Sequence, residues 1–353
     1  MCNSSNMDLH SNTDMHFGSG RTVDGDNWIK VARGIYWDAS ARDSTMDAWE
    51  SNKLITKVRA RGVNGTRQDI EPVFTSQVGL ILHGLPTWQT VPDLVAWGPP
   101  KRKPNGKKKT FEQVTLGEHY TPPATFSYLN GARLGEKTVE IDGIKVAHHL
   151  ECAVDAARQE HPMVGIAAVS LALGICSHFN MRDQESTRAK AEELRAQMLK
   201  PLTSDVWGAK KARKVIEAAD PGISNAAEAF VWWLLCCITE PGDRATQIET
   251  RASDRTYFID MGLPRFKFGV ENEGVTKFAL GQQDHRGLTI RHNDLLNEGW
   301  VLLHLSTNDS YHPDLTMQKL QTALKAAGVP LSEPDRTLWQ PVPWEILDPR
   351  RRF

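Results

Sequence analysis

Residues 257–278 read YFIDMGLPRFKFGVENEGVTKF, and this stretch governs how the rest of the chain is parsed. Residues 257–260 and 265–271 are aromatic and β-branched runs of strand character, and residues 262–264 (Gly-Leu-Pro) predict the turn between them. Asp260 ends the first run and Glu271 ends the second, so a bent or staggered hairpin draws two carboxylates together. Upstream, residues 225–238 predict a helix with Ser224 as its N-cap. Glu228 sits in the first turn, where the helix dipole favours a carboxylate. The later part of that helix, FVWWLLCCI, is apolar all round and therefore expected to be buried. Residues 246–249 predict a weak strand. Residues 284–298 predict a helix capped by Gly299, WVLLHLS (300–306) a buried strand, and residues 315–327 a last helix. The order helix, three strands, helix, strand, helix is an α/β layer arrangement.

Further toward the amino terminus, WIKVARGIYWD (28–38) predicts a wing-like hairpin broken at Gly34. Residues 45–61 and 73–85 predict helices, the second capped by Thr75 or Ser76 and stopped by the Gly-Leu-Pro at 84–86. Residues 93–97 predict a short strand, and residues 138–146 a hairpin turning at Asp142-Gly143. Helices are expected over 148–159, 162–177, 188–199 and 210–219. The expected division is a disordered tail (1–26), an α+β region (27–147), a helical linking region (148–219), a second domain (220–330) and a carboxy-terminal tail (331–353).

Composition narrows the function. Of the 353 residues, 40% are hydrophobic and 24% charged, enough for a real core, and the formal charge of −1 gives no chain-wide attraction for nucleic acid. Any such contact has to be local. The one dense basic run is KRKPNGKKK (101–109), in which Lys101, Arg102, Lys103, Lys107, Lys108 and Lys109 flank a Pro-Asn-Gly turn. It reads either as a phosphate-contacting finger or as a plain solvated loop. The five cysteines form no CxxC pair and Cys236 adjoins Cys237, which argues against a zinc ribbon and for reduced thiols in a cytoplasm. The longest apolar stretches are too short to span a bilayer.

The chemistry is carried by carboxylates. Glu273 lies two residues beyond Glu271, on the same face of an extended strand. Together with Asp260 and Glu228 these residues can converge at one end of a small sheet. Clustered carboxylates repel, so they need a cation or shifted pKa values. Mg²⁺ takes one or two carboxylates with waters and substrate phosphates. Lys277 is near enough in sequence to meet a developing phosphate charge. Equally, Asp260 can cap a turn and Glu271 can sit on an exposed edge. His83, His148-His149, His285 and His292 read first as packing or surface residues.

The 257–278 segment resembles, without gaps, the core of the Vsr-like endonuclease branch of the PD-(D/E)XK restriction-endonuclease-like superfamily. Asp260 falls on the family's first catalytic Asp, Pro264 on its Pro, Glu271 on its Glu, Glu273 on the following Asp, Gly274 on the Gly and Lys277 on the Lys. ADPGISNAAEAF (219–230) is similar to the family's helix start, with Glu228 on its second Glu and Ser224 in place of the first. Arg291 and Gly299-Trp300 match the helix and strand that complete the fold. VARGIYWDA (31–39), FTSQVGLILHGLP (74–86) and HHLECAVDAAR (148–158) are similar to segments of the actinobacterial AbiEi antitoxin-like domain arrangement.

The resemblance implies a restriction-endonuclease-like mixed sheet flanked by helices, preceded by an α+β region with a winged-helix-like remnant. It also implies Mg²⁺- or Mn²⁺-dependent hydrolysis of DNA in a defence or mobile-element setting. Asp260 and Glu271 would hold the metal, with Glu228 and Glu273 as additional or water-mediated ligands. Lys277 would steady the scissile phosphate, and Arg291 would contact DNA. The alternative is a catalytically silent DNA-binding regulator or antitoxin-like protein that keeps the fold as a scaffold. A homodimer or a protein partner is open under either reading.

Overall fold

The computed structural model describes residues 14–18, 27–40, 42–43, 45–66, 71–98, 109–129, 137–273 and 282–351. The chain divides into two compact units, Met1–Asp155 with Asp348–Phe353, and Ala156–Leu347. Both mix helices with sheets, as an α/β chain should. No described helix is long and apolar enough to cross a membrane.

In the first unit, strands β1 (Met15–Phe17), β2 (Trp28–Ala32) and β3 (Ile35–Asp38) form one antiparallel sheet in the order β1-β3-β2. The expected hairpin is therefore present, and Gly34 makes its turn with φ +72°. Helix α1 (Ala48–Thr66) follows. The helix expected over 73–85 is shorter than its pattern suggested. Val73 and Phe74 form a strand, β4, and only Ser76–Leu82 is helical, α2. Both β4 residues are paired: Val73 lies opposite Trp97, and Phe74 lies between Ala96 and Val146. Ladder pairing outweighs helix spacing there. Thr75 does not cap with its side chain; its hydroxyl donates to Asp155 Oδ2 at 2.7 Å.

Next come β5 (Leu94–Trp97), β6 (Lys109–Phe111), β7 (Val114–Leu116), β8 (His119–Thr121), β9 (Ala124–Tyr128), β10 (Thr138–Ile141) and β11 (Ile144–Ala147). Six strands make one sheet in the order β10-β11-β4-β5-β9-β6. Its β10–β11 turn uses Asp142 and Gly143 at φ +51° and +71°, the left-handed pair that a two-residue hairpin requires. Helix α3 (His149–Gln159) carries the boundary between the units.

The second unit continues with α4 (Pro162–Ser177), α5 (Gln184–Leu199), α6 (Ala209–Ala218) and α7 (Ala226–Ile238). Helix α7 is buried from Glu228 to Ile238, as its unbroken apolar run demands. Trp233 is fully buried; its indole donates to the Leu338 carbonyl at 2.9 Å and its ring stacks on Trp339, centroids 5.2 Å apart. Residues 332–339 thus pack along α7 and are no loose tail. Ser332 and Asp335 donate to the carbonyls of Ile238 and Cys237.

Strands β12 (Ala245–Ala252), β13 (Arg255–Leu263) and β14 (Phe268–Glu273) run antiparallel. Helix α8 (Gln282–Asn297) then leads to β15 (Val301–Ser306), which lies parallel to β14. The sheet order is β12-β13-β14-β15. Helices α9 (Pro313–Ala326) and α10 (Trp344–Leu347) follow. Ile248, Ile259, Leu295 and Trp300 form the apolar contact between this sheet and α8.

Three further expectations need correction. The segment 246–249, weak in sequence, is the middle of an eight-residue strand because it pairs along its whole length with β13. The β13–β14 turn is made by Pro264–Phe266 and Lys267 (φ +47°), while Gly262 and Leu263 stay in the strand. Strand β15 was expected to be buried, yet only Leu305 of its six residues is. The strand lies at the end of the sheet order, so one of its edges has no neighbouring strand among the described residues.

Candidate carboxylate site

The site begins with the entry to α7. Asn225, not Ser224, is the N-cap: its side chain accepts from the Glu228 N–H at 2.9 Å. The Glu228 carboxylate turns back and accepts from Ser224 N (2.8 Å), Ser224 Oγ (2.7 Å) and Asn225 Nδ2 (2.8 Å). This is the reciprocal logic of a capping box, displaced by one residue. Burial pushes the Glu228 carboxyl up. The bonds from Ser224 and Asn225 oppose that rise, and the Asp260 charge adds to it. Asp260 is therefore within electrostatic reach of Glu228.

The hairpin register sets the two acidic residues level with one another along the sheet. Met261 pairs with Val270, so Asp260 and Glu271 occupy neighbouring positions on adjacent strands. The Asn272 N–H donates to Asp260 Oδ2 at 3.0 Å and fixes that carboxylate against β14. Asp260 Oδ1 accepts no hydrogen bond among the described residues. Two glycines permit the close strand approach: a Cβ on Gly262 would overlap the Phe268 carbonyl oxygen, and one on Gly269 would lie 2.8 Å from Ile259.

Glu271 is buried, 5% exposed, and its charge is met by Arg291 of α8. Arg291 Nη2 donates to Glu271 Oε1 at 2.6 Å and to the Phe258 carbonyl at 2.5 Å. The structure thus directs Arg291, expected to contact DNA, toward the carboxylate itself. Two further residues that were not singled out for the site adjoin it. His304 stands opposite Glu271 in the parallel register and shares a 3.1 Å contact with His292 of α8. Gln247 of β12, at φ +50°, lies between the pairs Thr246–Met261 and Ile248–Ile259 and so at the level of Asp260. Their signals were present but faint: a single His inside WVLLHLS and a single Gln inside a β-branched run.

The Glu273 backbone extends β14 opposite Ser306, while its side chain lies outside what is described. Lys277, Lys101, Arg102, Lys103, Lys107 and Lys108 also lie outside the described residues. Lys109 opens β6 in the first unit, and its ammonium donates to Thr66 Oγ1 at 3.1 Å.

Among the described residues, no group of three or more His, Cys, Asp and Glu is arranged to hold a metal ion. What the register provides is Asp260 and Glu271 at neighbouring positions of β13 and β14, with the Asp260 charge felt at Glu228. A pair of hard oxygen donors suits Mg²⁺, which keeps several waters and is completed by substrate phosphate. No family model, curated protein or solved structure matches the chain.

Proposed function

We propose that the protein is a metal-dependent nuclease that hydrolyses DNA phosphodiesters at the Asp260–Glu271 pair. The observation that carries this reading is the placement of two carboxylates at neighbouring positions of β13 and β14, one with a carboxylate oxygen that accepts no described hydrogen bond. The element order supports it as well. A helix, three antiparallel strands, a helix and a parallel fourth strand is the arrangement that the resemblance in residues 219–306 calls for.

Asp260 and Glu271 would hold Mg²⁺ or Mn²⁺, and the bound cation would polarise the scissile phosphate and make water a better nucleophile at neutral pH. The chain's own residues set the site up. Asn272 orients Asp260, Arg291 orients Glu271, and the α7 cap holds Glu228, whose carboxyl feels the Asp260 charge. Burial of Glu271 strengthens its electrostatic pull on a cation relative to a solvated carboxylate.

A second reading has its own observation. Arg291 already neutralises Glu271, and Glu228 is engaged by three hydrogen bonds. That arrangement suits a silent scaffold that binds DNA without cutting it. Plasmid nicking separates the two. The nuclease reading expects cleavage with Mg²⁺ or Mn²⁺ that is abolished by EDTA and by Asp260→Asn or Glu271→Gln. DNA binding that persists in EDTA, with no cleavage under any metal, would favour the scaffold.

A further inference from the structure

Beside the sheet's edge strand β12 lies a cavity of about 530 Å³, within the range of ligand sites. The Ala245–Glu249 stretch forms one wall, Arg244 directly precedes it, and Arg182, Gln184, Arg188 and Asp220 come from other segments. Most of its polarity is already committed. Gln184 Nε2 donates to the Gln247 carbonyl at 2.7 Å and Arg188 Nη2 to the Thr246 carbonyl at 3.1 Å, which blunts the open strand edge. Arg188 also binds both oxygens of Asp220, at 2.9 and 3.0 Å.

Two guanidiniums remain. Arg182 uses only its backbone N–H, and its side chain meets no acceptor among the described residues. Arg244 touches no carboxylate among them. Its Nη1 reaches the Leu235 and Thr239 carbonyls at 3.5 and 3.2 Å, its plane lies over Trp232, and its buried Nε has no partner. With Asp220 neutralised by Arg188, Glu249 is the one unpaired acid on the wall against two unpaired arginines. Planar guanidiniums with open donors match phosphate geometry.

The cavity's position gives it a role. Gln247, on its wall, lies between the pairs Thr246–Met261 and Ile248–Ile259, at the level of Asp260 on the next strand. The Asp220–Gly222 segment on its rim runs directly into Ser224, which holds Glu228.

We propose that this cavity is a phosphate subsite that takes the nucleic-acid backbone adjoining the carboxylate pair, with Arg182 and Arg244 as its contacts. The identity of the ligand rests on the nuclease reading. The test is fluorescence anisotropy of a labelled duplex oligonucleotide in EDTA, titrated over a series of KCl concentrations. Each lost phosphate contact should reduce the slope of log affinity against log salt by about 0.9, which is about fivefold in affinity at 0.15 M salt. Arg182→Ala and Arg244→Gln should each show that loss, while Arg255→Ala, at the exposed β12–β13 turn, should bind as the wild type does. Arg182 has no side-chain role in the fold, so its variant stays informative if Arg244→Gln destabilises α7.

Unchanged affinity and slope in Arg182→Ala, equal losses in Arg255→Ala, or no binding by the wild type would each overturn the subsite. Arginine-dependent binding without plasmid nicking would retain the subsite and remove the catalytic reading. Nicking with wild-type binding in both arginine variants would do the reverse.

Discussion

Replacing Arg291 with methionine removes the cation that faces Glu271 and keeps most of the side-chain volume. Glu271 is 5% exposed and receives a 2.6 Å bond from Arg291, whose side chain is 25% exposed. Breaking a buried pair costs about 3–5 kcal/mol, and a charge-assisted hydrogen bond contributes about 1.5–3. Partial exposure of the arginine places this pair near the lower end, at about 2–3 kcal/mol. In a unit the size of Ala156–Leu347, that is a fall of about 5–10 °C in its thermal midpoint. The double variant Arg291→Met with Glu271→Gln should recover at least about 1 kcal/mol, because the uncompensated charge has gone. Millimolar Mg²⁺ should raise the midpoint of Arg291→Met more than that of the wild type, since the cation takes over the guanidinium's task. Calorimetry and urea unfolding read all three. A midpoint lowered by less than about 2 °C, or equal Mg²⁺ responses, would refute the view that Arg291 meets the charge of Glu271 and that a cation can do the same.

Gly262→Ala should cost about 1–3 kcal/mol by overpacking, because its Cβ meets the Phe268 backbone and cannot be accommodated by a flexible side chain; urea unfolding measures it. Trp233→Ala should cost about 3–5 kcal/mol, read by calorimetry, through loss of the Trp339 stack and an unpaired Leu338 carbonyl. Acid should loosen the second unit through His161. Its Nδ1 accepts from the Met163 N–H at 3.2 Å while Nε2 meets the Gln340 carbonyl at 3.1 Å, so the α4 cap needs the neutral ring. Burial, the largest cause, lowers its pKa from 6.5 to about 4. The unfolded chain then binds more protons between those values, so stability is full above pH 6.5 and declines as pH falls toward 4. His161→Asn, which keeps a capping oxygen, should flatten that decline in unfolding measured at successive pH values.

Local chemistry explains what the sequence disclosed. The unbroken apolar face of α7, the Asp142-Gly143 turn and the Gly299 stop each act within a few residues, and so these elements were readable, although the α7 cap was placed one residue early, on Ser224 instead of Asn225. The neighbouring placement of Asp260 and Glu271 followed from one short hairpin. Pairing across the sheet was what stayed hidden. Val73-Phe74 become a strand only because β5 and β11 flank them, and 246–249 extends to eight residues only because β13 runs alongside. Arg291 and His304 join the site through α8 packing and a parallel register, which no spacing within 257–278 encodes. The arginine cavity gathers residues from α5, the loops on either side of α7, and β12, over more than sixty positions of chain.

The central claim is that Asp260 and Glu271 together form a cation site. Its most direct test is titration of the metal-free protein with Mn²⁺, followed by calorimetry and by the Mn²⁺ paramagnetic resonance signal. The account predicts one bound ion per chain, displaced by Mg²⁺ and lost in both Asp260→Asn and Glu271→Gln variants that retain the wild-type fold. No bound ion, or an ion held equally well by both variants, would contradict it.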